Sequence, residues 1–385
     1  MIVREVRAHY LRAELAAPFG WSVFTTPIRQ ALLVEVRTDD GLVGWGEAGS
    51  GTLPRVGKVF VEDVLAPLAI GEDPFDLERI CQKAYAAFDR AGWVGGLAVQ
   101  ALSGLEVALW DLMGKATNRP VSQLLGGRVR ERIMAYATGL YYVPTAQHPT
   151  EAREREARGY VEAGYRAMKM KVGGLTPEAD VREVAAIRRA IGDDVMLMAD
   201  ANGAYDARTA IRIGRELERL GLRWFEEPVQ RGDLDGYDEV KRSLDLPITG
   251  GEHLGNLDDF REIVRRRSVD ILQPDVANCG GLSAARRIAG LAQAFHVRVF
   301  PHVWGTPLAV AAGLHLAATL PSTPPTVTPT PLAQEPLFEF DSTPHPIRDA
   351  MLTPELRPKD GWLTIPSGPG LGVEIDPSVI AHFSA

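Results

Sequence analysis

Cysteine is almost missing from this chain: Cys81 and Cys279 are the only two in 385 residues. They stand far apart, with no CxxC pair and no His/Cys ligand spacing. That excludes a disulfide framework and a zinc site, and fits a reducing cytosol. A basic surplus is missing too. Lys and Arg number 42 against 50 Asp and Glu, a net charge of −8. With no basic stripe to follow phosphates, nucleic acid is not an expected partner. Long hydrophobic runs are scarce: the stretch around Leu308–Leu320 contains His315 and falls short of the roughly 18 residues of a membrane span. Met1-Ile2-Val3-Arg4-Glu5 has charges of both signs and no signal-peptide core. These absences predict a soluble cytoplasmic protein with no membrane partner. A hydrophobic content of 45% still allows a large core and more than one structural domain.

The first part reads as strands, then helices. Gln30–Thr38 is rich in aliphatic residues, Asp39-Asp40-Gly41 is a hairpin signal, and Leu42–Glu47 returns as a strand. Leu97–Lys115 carries Leu102, Leu105, Leu109 and Met113 at helical spacing, with Leu124-Leu125-Gly126-Gly127 as the expected helix stop and boundary. From about Glu131 the texture becomes repeated strand-then-helix units. Candidate strands are Ile133–Ala137, Ala167–Lys171, Met196–Asp200, Arg223–Glu227, Pro247–Gly251, Asp270–Pro274 and Val297–Pro301, with helical stretches such as Pro177–Ile191 and Ala207–Leu220 between them. Seven such units suggest a closed barrel more than an open sheet. An eighth strand is hard to place, because Pro321–Pro336 is crowded with Pro and Thr. That stretch reads as a mobile loop or a distorted closing unit. The last forty or so residues, with Gly361–Pro366 and Gly368-Pro369-Gly370, read as a strand and turns outside the barrel.

Three acids recur at one interval. Asp200, Glu226 and Glu252 are each 26 positions apart, and each closes a short apolar run. That interval holds one strand, one returning helix and two short loops. The three carboxylates would then stand side by side at the carboxyl ends of adjacent parallel strands. Their repulsion calls for a cation, and oxygen-only ligands point to a hard one, magnesium first. A single acid in such a place is more often a helix cap; three in register favour a metal site. Glu227 competes with Glu226, but strand neighbours point to opposite faces, so only one can face the ion.

Lys169 and Lys171 sit two apart at a strand end and project to one face. Taken alone they are surface lysines. One unit before Asp200, each is expected to lower the other's pKa until one can act as a base near pH 7. Asp275 and His302 are 27 positions apart, again one unit, so the Asp can orient the imidazole and raise its basicity. His9, His148, His345 and His382 read as loop or surface residues, and His296 and His315 lie in helical context. His253, after Glu252, is either a contact for a distal hydroxyl or carboxylate or a loop histidine with no role.

These residues resemble the enolase superfamily, and within it the mandelate racemase subgroup. The resemblance is carried by Lys169-Met170-Lys171, Asp200-Ala201-Asn202, Glu226-Glu227-Pro228, Gly250-Gly251-Glu252, Gln273-Pro274-Asp275 and Pro301-His302. Ala108–Leu112 with Gly114-Lys115, and the ending Gly368–Gly372, extend it over nearly the whole chain. Pro301–Thr306 and Phe338–Asp341 look most like the sugar-acid enzymes, galactarolactone cycloisomerases in particular.

The resemblance implies a modified (β/α) TIM-type barrel, residues 128–343, under an α+β capping domain. The cap is formed by residues 1–127 and a C-terminal segment, 344–385, that returns to it. It implies Mg²⁺ held by Asp200, Glu226 and Glu252, with Lys171 as a base and Lys169 beside it holding the substrate carboxylate. His302, backed by Asp275, would be the acid or base on the opposite face. Asn202 and Glu339 would contact the substrate, Glu339 as a hydrogen-bond donor, with Glu335 the alternative for that role. The loop around Phe19–Ser22 would close over the site, and the assembly would be a homo-oligomer. The implied activity is removal of the proton α to a carboxylate through an enediolate, then β-elimination from a sugar acid or its lactone. Racemisation or epimerisation with the same Lys and His is the alternative. A silent scaffold barrel is disfavoured, because every catalytic position holds a competent residue type.

Overall fold

The computed structural model describes residues 1–49 and 53–385. The chain opens with a three-stranded antiparallel sheet, β1 (Val3–Trp21), β2 (Phe24–Thr38) and β3 (Val43–Ala48), in the order β1-β2-β3. β3 and the second half of β2 coincide with the expected strands. β1 and the start of β2 were not legible, because β1 alternates Arg and Glu with half-buried residues and breaks register between Glu14 and Phe19. The helix Leu97–Thr117 packs on this sheet at backbone contact. A Cβ at Gly46 would lie 2.1 Å from the Gly104 carbonyl, and one at Gly44 2.2 Å from that of Ala108. No larger residue fits between them.

Among the described residues, that helix, not the Leu308–Leu320 stretch, is the one long and apolar enough by length and composition to cross a membrane. It is largely buried against the sheet and carries Glu106 and Asp111, both without solvent exposure. It stops at Asn118, in the left-handed region at φ 52°. The expected stop at Gly126-Gly127 instead ends a separate short helix, Val121–Leu124.

The second half is the barrel. Seven parallel strands follow in order: β4 (Arg132–Thr138), β5 (Ala167–Lys171), β6 (Met196–Asp200), β7 (Phe225–Glu226), β8 (Ile248–Gly250), β9 (Ile271–Leu272) and β10 (Arg298–Val299). Each falls inside or around its expected range, though β7, β9 and β10 keep only two residues. The eighth is β11 (Phe338–Asp341), parallel to β4. It lies just past the Pro-rich stretch, whose composition hid a four-residue strand. The order β10-β9-β8-β7-β6-β5-β4-β11 makes a modified (β/α) barrel. Below the site its interior holds Tyr136, Met198, Trp224, Ile271, Phe300 and Leu337, each worth about 2 kcal/mol in burial.

The ending departs from expectation in one respect. β12 (Trp362–Thr364) is hydrogen-bonded to the barrel, antiparallel to the first half of β4. The chain then returns to the cap: Leu371 N donates to Asp111 Oδ1 (2.8 Å), and Ala385 N to the Tyr10 carbonyl (3.0 Å). Both cysteines are buried and unpaired.

His315 sits where these parts meet. It is fully buried in the helix Pro307–Thr319; its Nδ1 accepts from Ser122 N (3.2 Å) and its Nε2 donates to the Leu371 carbonyl (3.1 Å). Burial pushes it down to about 4, against the Leu371 bond. The folded pKa is depressed, so the unfolded chain takes up a proton first as pH falls. Its contribution is therefore intact above about 6.5 and lost progressively towards 4. Urea midpoints measured across that window should fall, by up to ~3 kcal/mol in stability. The slope should flatten in His315→Asn; an unchanged slope would show that another group carries it.

Candidate active site

Asp200 ends β6, Glu226 ends β7 in register with it, and Glu252 follows β8 across Gly251. All three are buried, and an oxygen from each lies within 4.8 Å of the others. Their surroundings fix their orientation. Asp200 Oδ1 accepts from Asn202 N (2.9 Å). Glu226 Oε2 accepts from Trp224 Nε1 (3.0 Å) and Gln273 Nε2 (2.7 Å). Burial, then repulsion from Asp200 and Glu252, pushes Glu226 up despite the pull of Lys169. Glu252 Oε2 is buried with no hydrogen-bond donor. A converging, all-oxygen, anionic set with an orphaned oxygen fits a hard divalent cation. Glu227 lies with Glu252 and His253 in a second group whose ligand atoms are within 4.8 Å of one another.

Lys169 and Lys171 project from β5 into the same mouth. Lys169 Nζ donates to Glu226 Oε1 and lies 3.0 Å from Glu339 Oε1 and 3.7 Å from Asp200 Oδ2. Lys171 Nζ reaches Asp200 Oδ2 (2.5 Å) and Asn202 Oδ1 (3.0 Å). The expectation of depressed lysines is overturned. Burial alone would lower both, and Lys169 does act on Lys171 in that direction, but Glu226 and Glu339 at Lys169, and Asp200 at Lys171, outweigh these effects and hold both ammonium groups above their ordinary values. The sequence argument counted the paired cations and left out how closely the acids surround them.

On the other side of the acids, β9 and β10 bring Asp275 and His302 into one bridge, with His302 Nδ1 2.6 Å from Asp275 Oδ2. The free Nε2 lies 3.4 Å from Glu252 Oε2 and 3.6 Å from Glu339 Oε2. Burial alone would lower this imidazole; Glu252, Glu339 and Asp275 hold it up at about 10. Glu339, on β11, accepts from Thr138 Oγ1 (2.5 Å) and Val303 N (3.4 Å). Burial would raise its pKa, yet Lys169 and His302 outweigh that and keep it below the usual range. It is thus an ionised acceptor here, not the donor expected. Glu335 lies elsewhere, 3.6 Å from Arg130. His253 is half-exposed and paired through Nδ1 with Glu252 (3.1 Å) and Glu227 (3.5 Å).

Lys171, Asn202, Glu252, Asp275, His302 and Glu339 all line one cavity. The cap closes it. The expected Phe19–Ser22 loop is the end of β1 and the tip of a hairpin, pinned to the barrel by paired Gly20 and Tyr142 backbone bonds (2.8 and 2.9 Å) and by Ser22 Oγ to the Ala201 carbonyl (2.7 Å). From it Trp21 packs edge-on against Trp304 (6.0 Å between ring centroids) and tilted on Phe24 (5.0 Å), both facing the same cavity as Tyr141. Arg29 is not free to read a ligand: it pairs with Asp341 (3.2 Å) and lies over the Phe19 ring. His345, expected at the surface, is buried and lines the cavity, and burial pushes it down to about 3. Gln30, Gln100 and Glu47 also face it from the cap. No local motif announces these four, since only the folding of one domain onto the other brings them there.

Comparison with known proteins agrees with this architecture. Residues 4–126 match the mandelate racemase / muconate lactonizing enzyme N-terminal domain, and residues 152–379 match the enolase C-terminal domain-like family. The chain is 39% identical over 383 residues to the D-galactarolactone cycloisomerase of Agrobacterium fabrum, covering 100% of this chain and 99% of that one. It is 34% identical to the arabinonate dehydratase of Saccharolobus solfataricus, covering 92% and 90%. Among solved structures, the 3,6-anhydro-D-galactonate cycloisomerase of Zobellia galactanivorans aligns over the full length of both chains, with a TM-score of 0.88 and 35% identity. A racemase of Streptomyces coelicolor with bound magnesium aligns over the full length of both with a TM-score of 0.88 and 28% identity.

Gln273 offers a test of the acid cluster. Gln273→Leu removes one of the two donors holding Glu226 Oε2 without touching the three acids. Calorimetric titration with Mg²⁺ should show affinity falling ~10-fold or more, with the circular dichroism spectrum unchanged. Unaltered affinity would mean that Trp224 alone orients Glu226.

Proposed function

Because the chain belongs to the enolase superfamily, in its mandelate racemase subgroup, and is a lyase or isomerase of sugar-acid chemistry, we propose that it removes the proton α to a carboxylate and then eliminates a β oxygen from a sugar acid or its lactone. The observation that carries this reading is the order of groups around the mouth. Lys169 and Lys171 stand on one side of Asp200, Glu226 and Glu252, and the Asp275–His302 pair stands on the other.

Asp200, Glu226 and Glu252 would hold Mg²⁺, whose positive charge would favour the doubly negative enediolate over the ground-state carboxylate. Lys169, fully buried, adds a fixed positive charge for the same carboxylate. Once its bond to Asp200 is released, Lys171 gives up a proton to solvent and, as the neutral amine, takes the α proton on its face. The electrons left on carbon move onto the carboxylate oxygens. His302 stands on the other face with its Nε2 free, its ring orientation set by Asp275. When the enediolate collapses, the β carbon–oxygen bond breaks, a carbon–carbon double bond forms, and the departing oxygen takes any proton it needs from His302. The resulting enol then becomes a 2-keto acid. The aromatic wall of Trp21, Phe24, Tyr141 and Trp304 offers apolar faces to the carbon skeleton of a ring, which suits a lactone or anhydro sugar. If no β oxygen leaves, His302 returns a proton on the opposite face and the product is an epimer.

A screen of sugar acids and lactones with a 2-keto-acid assay tests the reading. A substrate should give stoichiometric keto acid, with turnover abolished by chelator and restored by Mg²⁺. Lys171→Ala and His302→Ala should each lower kcat on the order of 10²–10⁴-fold. Deuterium entering the α carbon with no loss of the β oxygen would replace elimination by epimerisation. Full activity in both variants would sink the assignment of proton carriers.

A further inference from the structure

The barrel helices do not all begin in the same way. Those starting at Pro177, Ala207, Leu234 and Leu257 are capped by their own Thr176, Asp206, Asp233 and Asn256 side chains. These four follow the strands that carry the lysines and the acid cluster. The two helices after Asp275 and His302 are held from the other domain.

The helix Gly281–Ala294 begins after Gly280, which has no side chain to cap it. Glu106, buried on the long helix of the cap, accepts from Leu282 N (2.7 Å) and Ser283 N (2.9 Å), and is itself fixed by Trp110 Nε1 (2.8 Å). Ser103, one turn earlier, accepts from Gly280 N (2.9 Å). The helix Pro307–Thr319 is capped by its own Thr306, which accepts from Leu308 N (3.3 Å), and is met in addition by Glu47 of β3, which is almost fully buried. Glu47 Oε2 accepts from Thr306 N (2.9 Å), Thr306 Oγ1 (2.5 Å) and Ala309 N (3.3 Å). Gly305 is the residue the contact requires, since a Cβ there would lie 2.7 Å from Glu47 Oε1.

Thr306 lies four positions after His302, and Asp275 is a short loop from Gly281. Each half of the Asp275–His302 pair thus stands on a segment whose far end is tied to a cap carboxylate. A carboxylate at a helix N-terminus satisfies free N–H groups and meets the positive end of the helix dipole, so these ties are strong and directional. We infer that Glu47 is a positioning residue for the reaction: through Thr306 it sets the place of His302 against Asp275 and the substrate, while Glu106 does the same for the Asp275 segment. The cap's carboxylates therefore bear on one proton carrier, while the helices after the metal ligands are capped by their own side chains. The inference rests on the reading of His302 as a proton carrier.

The experiment compares Glu47→Ala, Glu47→Gln and Thr306→Val with the wild type. It measures kcat and KM on an accepted sugar acid, Mg²⁺ affinity by calorimetry, and the crystal structure of Glu47→Ala. A misplacement near 1 Å should lower kcat of Glu47→Ala by about 10²-fold. KM and Mg²⁺ affinity should stay within about threefold, since the metal ligands stand on self-capped units, and the crystal should show His302 drawn away from Asp275. Glu47→Gln keeps an oxygen for Thr306 N and should recover to within about tenfold of wild type. In a His302→Asn background, Glu47→Ala should add nothing further to the loss of kcat.

A wild-type rate with His302 in place overturns the inference, as does metal affinity lost in proportion to kcat, or additive effects in the double variant. Should Glu47→Ala fail to fold, Thr306→Val and Glu47→Gln decide by the same kcat and metal criteria. A wild-type enzyme that turns over no sugar acid refutes the functional reading instead, and the crystal structure of Glu47→Ala still decides the positioning.

Discussion

Like charges forced together inside a low-dielectric mouth are the constraint from which the rest of this structure follows. Asp200, Glu226, Glu252 and Glu339 are all buried within one cluster, and each would be costly there alone. They are tolerable because Lys169 and Lys171 are placed among them, and because the remaining lone pairs go to Asn202, Trp224, Gln273 and Thr138. At Glu252 Oε2 the compensation is ionic and not hydrogen-bonded: the atom is buried without a hydrogen bond, with the His302 imidazole 3.4 Å away. An acidic cluster so nearly compensated, yet short by one donor, is better suited to gaining a dication than to standing as a structural ion network. The same balance explains the lysines. Their neighbours hold them charged, so a lysine that takes a proton must first lose carboxylate contact and its own proton, and a dication competing for Asp200 would favour both.

The second dependency is on the cap. Both ends of the chain build it, and its sheet and long helix contribute more than a cover. Its hairpin tip supplies aromatic walls, its polar side chains face the distal cavity, and Arg29 ties β2 to Asp341 at the end of β11. Breaking that buried pair would leave an uncompensated charge at the domain junction. Loops on the barrel can vary in chemistry without disturbing the strands below. A cap that is also wired into two barrel helices cannot drift without moving the histidine side of the site.

The chemistry of the strand ends was the most legible part of the sequence. A fixed interval between Asp200, Glu226 and Glu252 is a one-dimensional trace of adjacent parallel strands, and the pairing of Asp200 with Glu226 shows that trace in three dimensions. The Asp275–His302 spacing works by the same logic. What stayed hidden has a common cause. β1 is an edge ribbon with one wet face, so its residues carry no apolar run. β11 is four residues long behind a stretch dominated by proline and threonine. His345 and Glu47 reach the cavity by tertiary packing alone, and no spacing along the chain encodes that. The ionisation of Lys171 and Glu339 was misread for a related reason: pKa depends on every charge within a few ångströms, and sequence shows only the near neighbours along a strand.

Geometry of this kind constrains the first step more than the last. Proton removal needs a cation beside the carboxylate and a base on one face, and the acid cluster with its lysines is arranged for that regardless of what lies at the β carbon. On the proposed mechanism the later step depends on His302, whose ring is oriented by Asp275 and whose free nitrogen faces Glu252 and Glu339. A leaving oxygen within its reach leads to elimination; a bare face leads to reprotonation. The choice is then made by where the substrate places its β oxygen relative to a histidine anchored through the cap. On the proposed mechanism, dehydratases, cycloisomerases and racemases of this architecture need differ only in where the substrate's β oxygen sits relative to that histidine.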